Sequence, residues 1–166
     1  MSISMYTASV TVFSRQLTAL LAILDKAEAN ATERKFKPDV LVTQRLAPDM
    51  LPLSTQIQIA TDAAKGAVAR LSGREVPSWP DTEVTFADLK ARVQKAIDYL
   101  ATFKPADLDG TEDKKVTIKA GGEDVTLRGE DYLLGRATQN FYFHVVAAYA
   151  ILRHNGANIG KRDYLA

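Results

Sequence analysis

The chain has 166 residues and no cysteine, which excludes disulfides, thiolate metal sites and cysteine nucleophiles. Its 46% hydrophobic and 25% charged content is typical of a globular protein and excludes fibrous and largely disordered classes. A formal net charge of +1 argues against nucleic acid or an anionic membrane as partner, because both select a strongly basic surface.

The length fits a single domain over residues 1–166. A signal peptide has a basic segment followed by an apolar core, and the first twelve residues do not show this pattern. They do not have the pattern of a transmembrane span either. We therefore expect a cytoplasmic protein.

The first predicted helix runs from about Met5 to Ala31, because apolar residues recur there at three- and four-residue steps. Between Phe36 and Pro52 three prolines interrupt the helical period, so this stretch is predicted to be a connector. Within it, residues 40–42 fit either one helical turn or an extended run.

The second helix is predicted from Leu53 to Leu71 and is rich in small residues. Gly73 follows it and can adopt the left-handed conformation that closes a helix. Gly66 lies inside the helix, where glycine costs about 1 kcal/mol relative to alanine. Close approach of a neighbouring helix is the expected compensation.

Thr85 and Asp88 form the pattern of a capping box that opens a third helix, predicted to reach Phe103. Two β-branched runs then flank Gly121-Gly122, which predicts a short β-hairpin. The last helix is predicted from Gly129 to His154. Four long helices with this hairpin between the third and fourth predict an all-α, up-and-down four-helix bundle.

The two histidines give little support for a metal site. His144 and His154 are ten residues apart on one predicted helix, which separates their backbones by about 15 Å. The positions that would complete an i, i+4 pair hold Ala148 and Ala150. We predict no metal ligands and no cofactor, with His154 as a weak metal candidate.

Several polar residues on apolar helix faces have two interpretations. His144 is either a hydrogen-bonded structural histidine or an acid or base in a pocket. Asp62 is either paired with Lys65, Arg70 or a tyrosine hydroxyl, or it contacts a ligand. Tyr142 and Tyr149 have the character of amphipathic core residues. The chain lacks GxSxG, GxxxxGK[ST], GxGxxG and HExxH, so no reaction is indicated.

Runs in both halves of the chain resemble an uncharacterised bacterial family of domains of unknown function, within the superfamily of DinB/YfiT-like four-helix bundles. The runs are Leu46–Met50, Asp62–Leu71, Asn140–His144, Ala148–Gly156 and Gly160–Tyr164. The resemblance implies a DinB-like bundle, often a homodimer, and in many relatives a three-histidine metal site. His154 matches the second histidine of the HxxxHxG pattern, whereas Ala150 stands in place of the first.

The leading hypothesis is a binding module without a metal, acting as a homodimer through a small-molecule pocket near Asp62, Tyr142, His144 and Tyr149 or through a protein partner. The alternative is a metal-dependent hydrolase or thiol transferase of the DinB-like kind, with a degenerate site built from His154 and carboxylates. Whether the protein is an enzyme stays open at this point.

Overall fold

Four long helices, six short helical segments and one hairpin are the regular elements of residues 3–166, the part of the chain that the computed structural model describes. The first half contains α1 (Val12–Glu33), a 3₁₀ turn (Pro38–Leu41) and α2 (Leu53–Ser72). The second half contains α3 (Phe86–Leu100), α4 (Pro105–Leu108), β1 (Lys115–Ala120), β2 (Glu123–Arg128), α5 (Gly129–Tyr132), α6 (Thr138–His154) and α7 (Lys161–Tyr164). Two π-helical segments, Thr7–Thr11 and Leu133–Ala137, lead into α1 and α6.

The first helix forms as predicted. One of its faces is buried, including Phe13, Leu17 and Leu20. By length and composition the segment Thr7–Glu33 is apolar enough to cross a membrane, but half of its most apolar stretch is buried in the protein. The core helix of a soluble globular protein has this property.

The connector that follows contains a helical turn rather than an extended run, because Pro38 starts the 3₁₀ turn Pro38–Leu41. Leu41 and Val42 are buried and anchor the connector in the core. Asp39 reaches across to α3, where its carboxylate accepts a hydrogen bond of 2.7 Å from the backbone N–H of Phe86.

Small residues on α2 allow close packing against α6, the helix with which it shares its largest interface. Ala60, Ala64 and Ala67 of α2 are fully buried. Gly73, with φ of 85°, closes α2 as predicted. Gly66 differs from the expectation: a Cβ at this position would overlap the Arg70 guanidinium, so the glycine accommodates a side chain of its own helix.

The predicted capping box is present, since Thr85 Oγ1 accepts from the Asp88 N–H at 3.1 Å and Asp88 Oδ2 accepts from the Thr85 N–H at 2.8 Å. Helix α3 ends at Leu100 and not at Phe103. The chain leaves the α-helix through two tighter i→i−3 hydrogen bonds, from the Thr102 N–H to the Tyr99 carbonyl and from the Phe103 N–H to the Leu100 carbonyl.

The hairpin forms as predicted, with β1 antiparallel to β2 and the register running from Lys115 opposite Arg128 to Ala120 opposite Glu123. Gly121 and Gly122 both have positive φ, as a two-residue primed turn requires. The chain then continues through α5 and the second π-helical segment into α6. Helix α6 ends at His154, and Gly156, which follows shortly after, has the left-handed conformation.

The four long helices surround one core. Helix α1 contacts α3 and α6, and α2 contacts the same two helices. Phe13 and Phe141 meet at the centre with ring centroids 4.7 Å apart. The C-terminal tail, residues 157–166, docks on α1, where the Gln16 amide donates to the Tyr164 carbonyl at 3.1 Å. The predicted fold class, a helical bundle with a small hairpin, is therefore confirmed.

Candidate functional site

His144 joins α6 to α2 through a buried polar contact. Its Nδ1 lies 2.7 Å from Oε1 of Gln56. The Gln56 amide nitrogen donates to the carbonyl of Leu51 at 3.0 Å, which fixes the orientation of the amide. Oε1 can only accept, so the neutral imidazole carries its proton on Nδ1 and leaves the Nε2 lone pair free.

Burial lowers the pKa of His144 below its usual range near 6.5. The folded state therefore favours the neutral ring at neutral pH, in agreement with the tautomer that Gln56 selects. In the unfolded chain the same ring takes up a proton at higher pH.

This difference predicts a pH-dependent stability. As the pH falls from about 6.5 towards the lowered pKa, the unfolded state binds a proton that the folded state does not, so stability decreases. His144→Gln keeps a donor for Gln56 and removes the titration. Urea unfolding at about pH 7.5 and about pH 5 should show a larger loss for the natural chain than for the variant. Equal losses in the two proteins would contradict the assignment.

The three-histidine site of DinB-like relatives does not fit the side chains of this chain. Nδ1 of His144 is committed to Gln56, and His154 lies at the far end of α6. Within residues 3–166, no three His, Cys, Asp or Glu side chains converge in the way a metal site needs. We therefore derive no chemistry through a metal.

Asp62 is paired with two cations, one of which, Lys65, is among its predicted partners. Its Oδ1 lies 2.7 Å from Nζ of Lys65 and 3.0 Å from Nη2 of Arg92. Both cations are almost fully buried, with 4% and 3% of their side chains exposed. Buried cations need anionic partners, and the Asp62 carboxylate is a partner of both.

Arg92 is the centre of this ionic cluster, which we define as Asp62, Lys65, Trp79, Glu83 and Arg92. Its guanidinium donates to Glu83 at 2.9 Å. It also donates to the hydroxyl of Thr61 on α2 at 3.0 Å. A further hydrogen bond of 3.1 Å goes to the carbonyl of Pro80, in the loop before α3.

The rest of the ionic cluster supports the same arrangement. Burial opposes ionisation of Glu83, but hydrogen bonds from Arg92 and Gln58 outweigh it and lower the pKa of that carboxyl. Nζ of Lys65 lies 4.3 Å from the ring centroid of Trp79, within cation–π range. The cluster thus joins α2, α3 and the loop between them, and its charges satisfy one another.

The two tyrosines lie elsewhere on α6. Tyr142 borders both an apolar groove on this helix and a cleft beneath the tail, and burial raises the pKa of its hydroxyl. Tyr149 packs against Tyr164 with ring centroids 6.0 Å apart. The four residues predicted to line one pocket therefore occupy separate places, with Asp62 in the ionic cluster and His144 beside Gln56.

The sequence analysis overlooked Arg92 and Gln56. Arg92 falls on the apolar face of α3 between Leu89 and Val93, and a charged residue on a buried stripe is the signal that would have identified it. Gln56 gives no comparable signal, because its partner His144 lies 88 residues away.

An apolar groove of about 550 Å³ runs along the face of α6 that turns away from the bundle. Six of its lining residues are apolar, two from the α1–α2 connector and four from α6. They are Leu46, Met50, Phe143, Val146, Ala147 and Ala150. No charged residue lines this groove within the described part of the chain.

Comparison with known proteins identifies the family. The family model of a domain of unknown function (DUF1993) matches residues 5–165. A crystal structure of a DinB family member protein from Shewanella denitrificans is 42% identical to the chain, with a TM-score of 0.87. The match covers 97% of this chain and 91% of that one. A comparison with curated proteins gave no match.

These findings confirm the resemblance to a DinB-like family of unknown function that the sequence suggested. The TM-score of 0.87 over 97% of the chain shows that the neighbour shares the fold described above. The chain therefore belongs to the DUF1993 family of domains of unknown function, consistent with a place in the DinB-like superfamily.

Proposed function

We propose that the protein is a cytoplasmic binding module that acts as a homodimer and uses no metal ion. The observation that carries the proposal is the uncharged apolar groove on α6. Two of its lining residues are exposed, Phe143 by 61% and Val146 by 47%. An apolar surface of this kind on a globular protein is typical of an interaction site.

A second copy of the chain is the partner that fits this surface best. A twofold dimer brings the same patch of both subunits together, so the patch must complement itself. Here the large, exposed Phe143 and the small Ala147 and Ala150 line one groove, so α6 offers both a bulky side chain and space beside small ones. The net charge of +1 leaves little repulsion between two copies.

The length of α6 supports this arrangement. Its 17 residues extend about 25 Å, enough for two antiparallel copies to cross and cover each other's grooves. The connector residues Leu46 and Met50 then lie at the rim and close the interface from the side. Because the pairing uses the outer face of α6, it leaves the core unchanged.

A charged residue in the groove tests the proposal. Light scattering of the natural chain at micromolar concentration should give a mass near twice 18.2 kDa. Phe143→Glu should give a mass near 18.2 kDa, because a carboxylate cannot be buried in an apolar interface without a partner.

Val84→Glu is the matched control, since Val84 is another exposed apolar residue that lies outside the groove. This variant should remain a dimer. A natural chain with the mass of one subunit would overturn the proposal, and so would a Phe143→Glu protein that stays dimeric. Circular dichroism of both variants establishes that the bundle is intact.

A further inference from the structure

A second groove, of about 410 Å³, lies where α2, the hairpin and the start of α6 meet. Arg70 lines it from α2, Lys119 from β1, and Arg136 from the π-helical segment before α6. No carboxylate lines it within residues 3–166. The groove is therefore a concave surface with three cations and no acidic side chain.

Arg70 is a half-buried arginine whose hydrogen-bonding partner is a neutral hydroxyl instead of a carboxylate. Its Nη1 donates to the hydroxyl of the buried Tyr132 at 3.2 Å. Burial raises the pKa of that hydroxyl against the opposing effect of Arg70 and Arg136, so its oxygen stays neutral. Among the ion pairs of residues 3–166, neither Arg70 nor Arg136 takes part in one. Lys119 pairs with Asp124 at 3.2 Å on the exposed surface.

Comparison with Arg92 shows that Arg70 lacks an anionic partner among residues 3–166. Arg92 reaches carboxylate oxygens of three acidic residues, whereas Arg70 reaches only a phenol. Removing part of a guanidinium from water is costly unless an anion compensates for it. The groove beside Arg70 leaves room for such an anion.

Local backbone features hold the two arginines in place. The missing Cβ of Gly66 leaves the space that the Arg70 guanidinium occupies, and this glycine costs about 1 kcal/mol of helix stability relative to alanine. The π-helical segment Leu133–Ala137 carries Arg136 at the edge of the groove, and such segments recur at functional sites.

We infer that this groove binds a small oxyanion, either the phosphate or the carboxylate group of a metabolite. Arg70 offers the planar fork that matches both groups, and Arg136 adds a second charge. Thr117 and Asn140 line the same groove and supply neutral hydrogen-bonding groups. The volume falls within the usual range for small-molecule sites.

The inference goes beyond the proposed function and does not depend on dimerisation, because the cationic groove and the apolar groove on α6 share no lining residue. A monomer that binds an oxyanion at Arg70 would overturn only the dimer. A dimer that binds none would overturn only this site.

Thermal unfolding in sodium phosphate, sodium malonate or sodium chloride at equal ionic strength provides the first test. Phosphate, malonate or both should raise the melting temperature above its value in chloride, because a ligand that binds only the folded state stabilises it. A response to one probe assigns the ligand group, and a response to both assigns the shared oxyanion chemistry. No response beyond chloride to either probe would overturn the inference.

Variants then locate the site by calorimetric titration with the responding probe. Arg70→Gln should weaken binding roughly 10- to 100-fold, since it removes a charged hydrogen-bonding partner. Arg153→Gln carries the same change of charge at an exposed position near the other end of α6 and should bind as the natural chain does. Equal binding by Arg70→Gln and the natural chain, or equal weakening in both variants, would overturn the assignment.

Gly66→Ala separates binding from stability. The added methyl group displaces the Arg70 guanidinium, so oxyanion binding should weaken. The same change improves helix propensity, so the melting temperature in chloride should stay constant or rise. A Gly66→Ala protein that binds the probe as tightly as the natural chain would contradict the role given to Arg70.

Discussion

Replacing Arg92 by alanine should lower the free energy of unfolding by about 3–5 kcal/mol, the range observed when one partner of a buried ion pair is removed. The variant leaves Glu83 without its cation, although only 11% of that side chain is exposed. It also removes the hydrogen bonds to Thr61 and to the Pro80 carbonyl. Urea unfolding monitored by circular dichroism measures the effect.

Two further variants make this test specific. Arg92→Lys keeps the charge but cannot donate to all of these acceptors at once, so its loss should be smaller. Arg153→Ala removes an exposed arginine and should change the free energy by no more than about 0.5 kcal/mol. If the stability of Arg92→Ala lies within about 1 kcal/mol of that of the natural chain, the ionic cluster does not make a buried ion pair's contribution to the fold.

Neighbouring leucines should respond very differently to truncation. Leu133 is fully buried, so Leu133→Ala should cost about 2–5 kcal/mol through lost apolar contacts and the cavity left behind. Leu134 is 51% exposed, so Leu134→Ala should change stability by no more than about 0.5 kcal/mol. Both variants replace a leucine of the same π-helical segment by alanine, so they differ mainly in the burial of the side chain that is removed.

Urea unfolding of both variants, measured under the same conditions, checks this prediction. Similar losses for the two leucines would show that the π-helical segment Leu133–Ala137 does not orient its side chains as the structure has them. That result would also weaken the placement of Arg136 at the oxyanion groove, because this residue belongs to the same segment.

Much of the fold follows from local patterns in the sequence. Helical spacing located α1, α2, α3 and the last helix, and a glycine pair between β-branched runs located the hairpin. The capping box at Thr85 is another local signal, since both of its members lie within one turn of helix. Such signals are readable because the interacting residues are neighbours in the chain.

The candidate site is less predictable, because its contacts join distant parts of the chain. The sequence placed Asp62 on a buried face but did not reveal that Arg92, thirty residues later, pairs with it. It also did not distinguish Leu133 from Leu134, since a π-helical segment changes which side chains face the core. The sequence shows that Gly66 lies inside a helix and needs a compensating contact, but only the three-dimensional structure shows that Arg70 fills the space beside it.

The contact between Asp39 and the N–H of Phe86 has a consequence for the order of folding. An isolated helix leaves its first N–H groups without partners, and α3 obtains one of those partners from a residue 47 positions earlier. The start of this helix is therefore complete only after the two halves of the chain have come together. Docking of the α1–α2 connector and completion of the first turn of α3 are in this sense a single event.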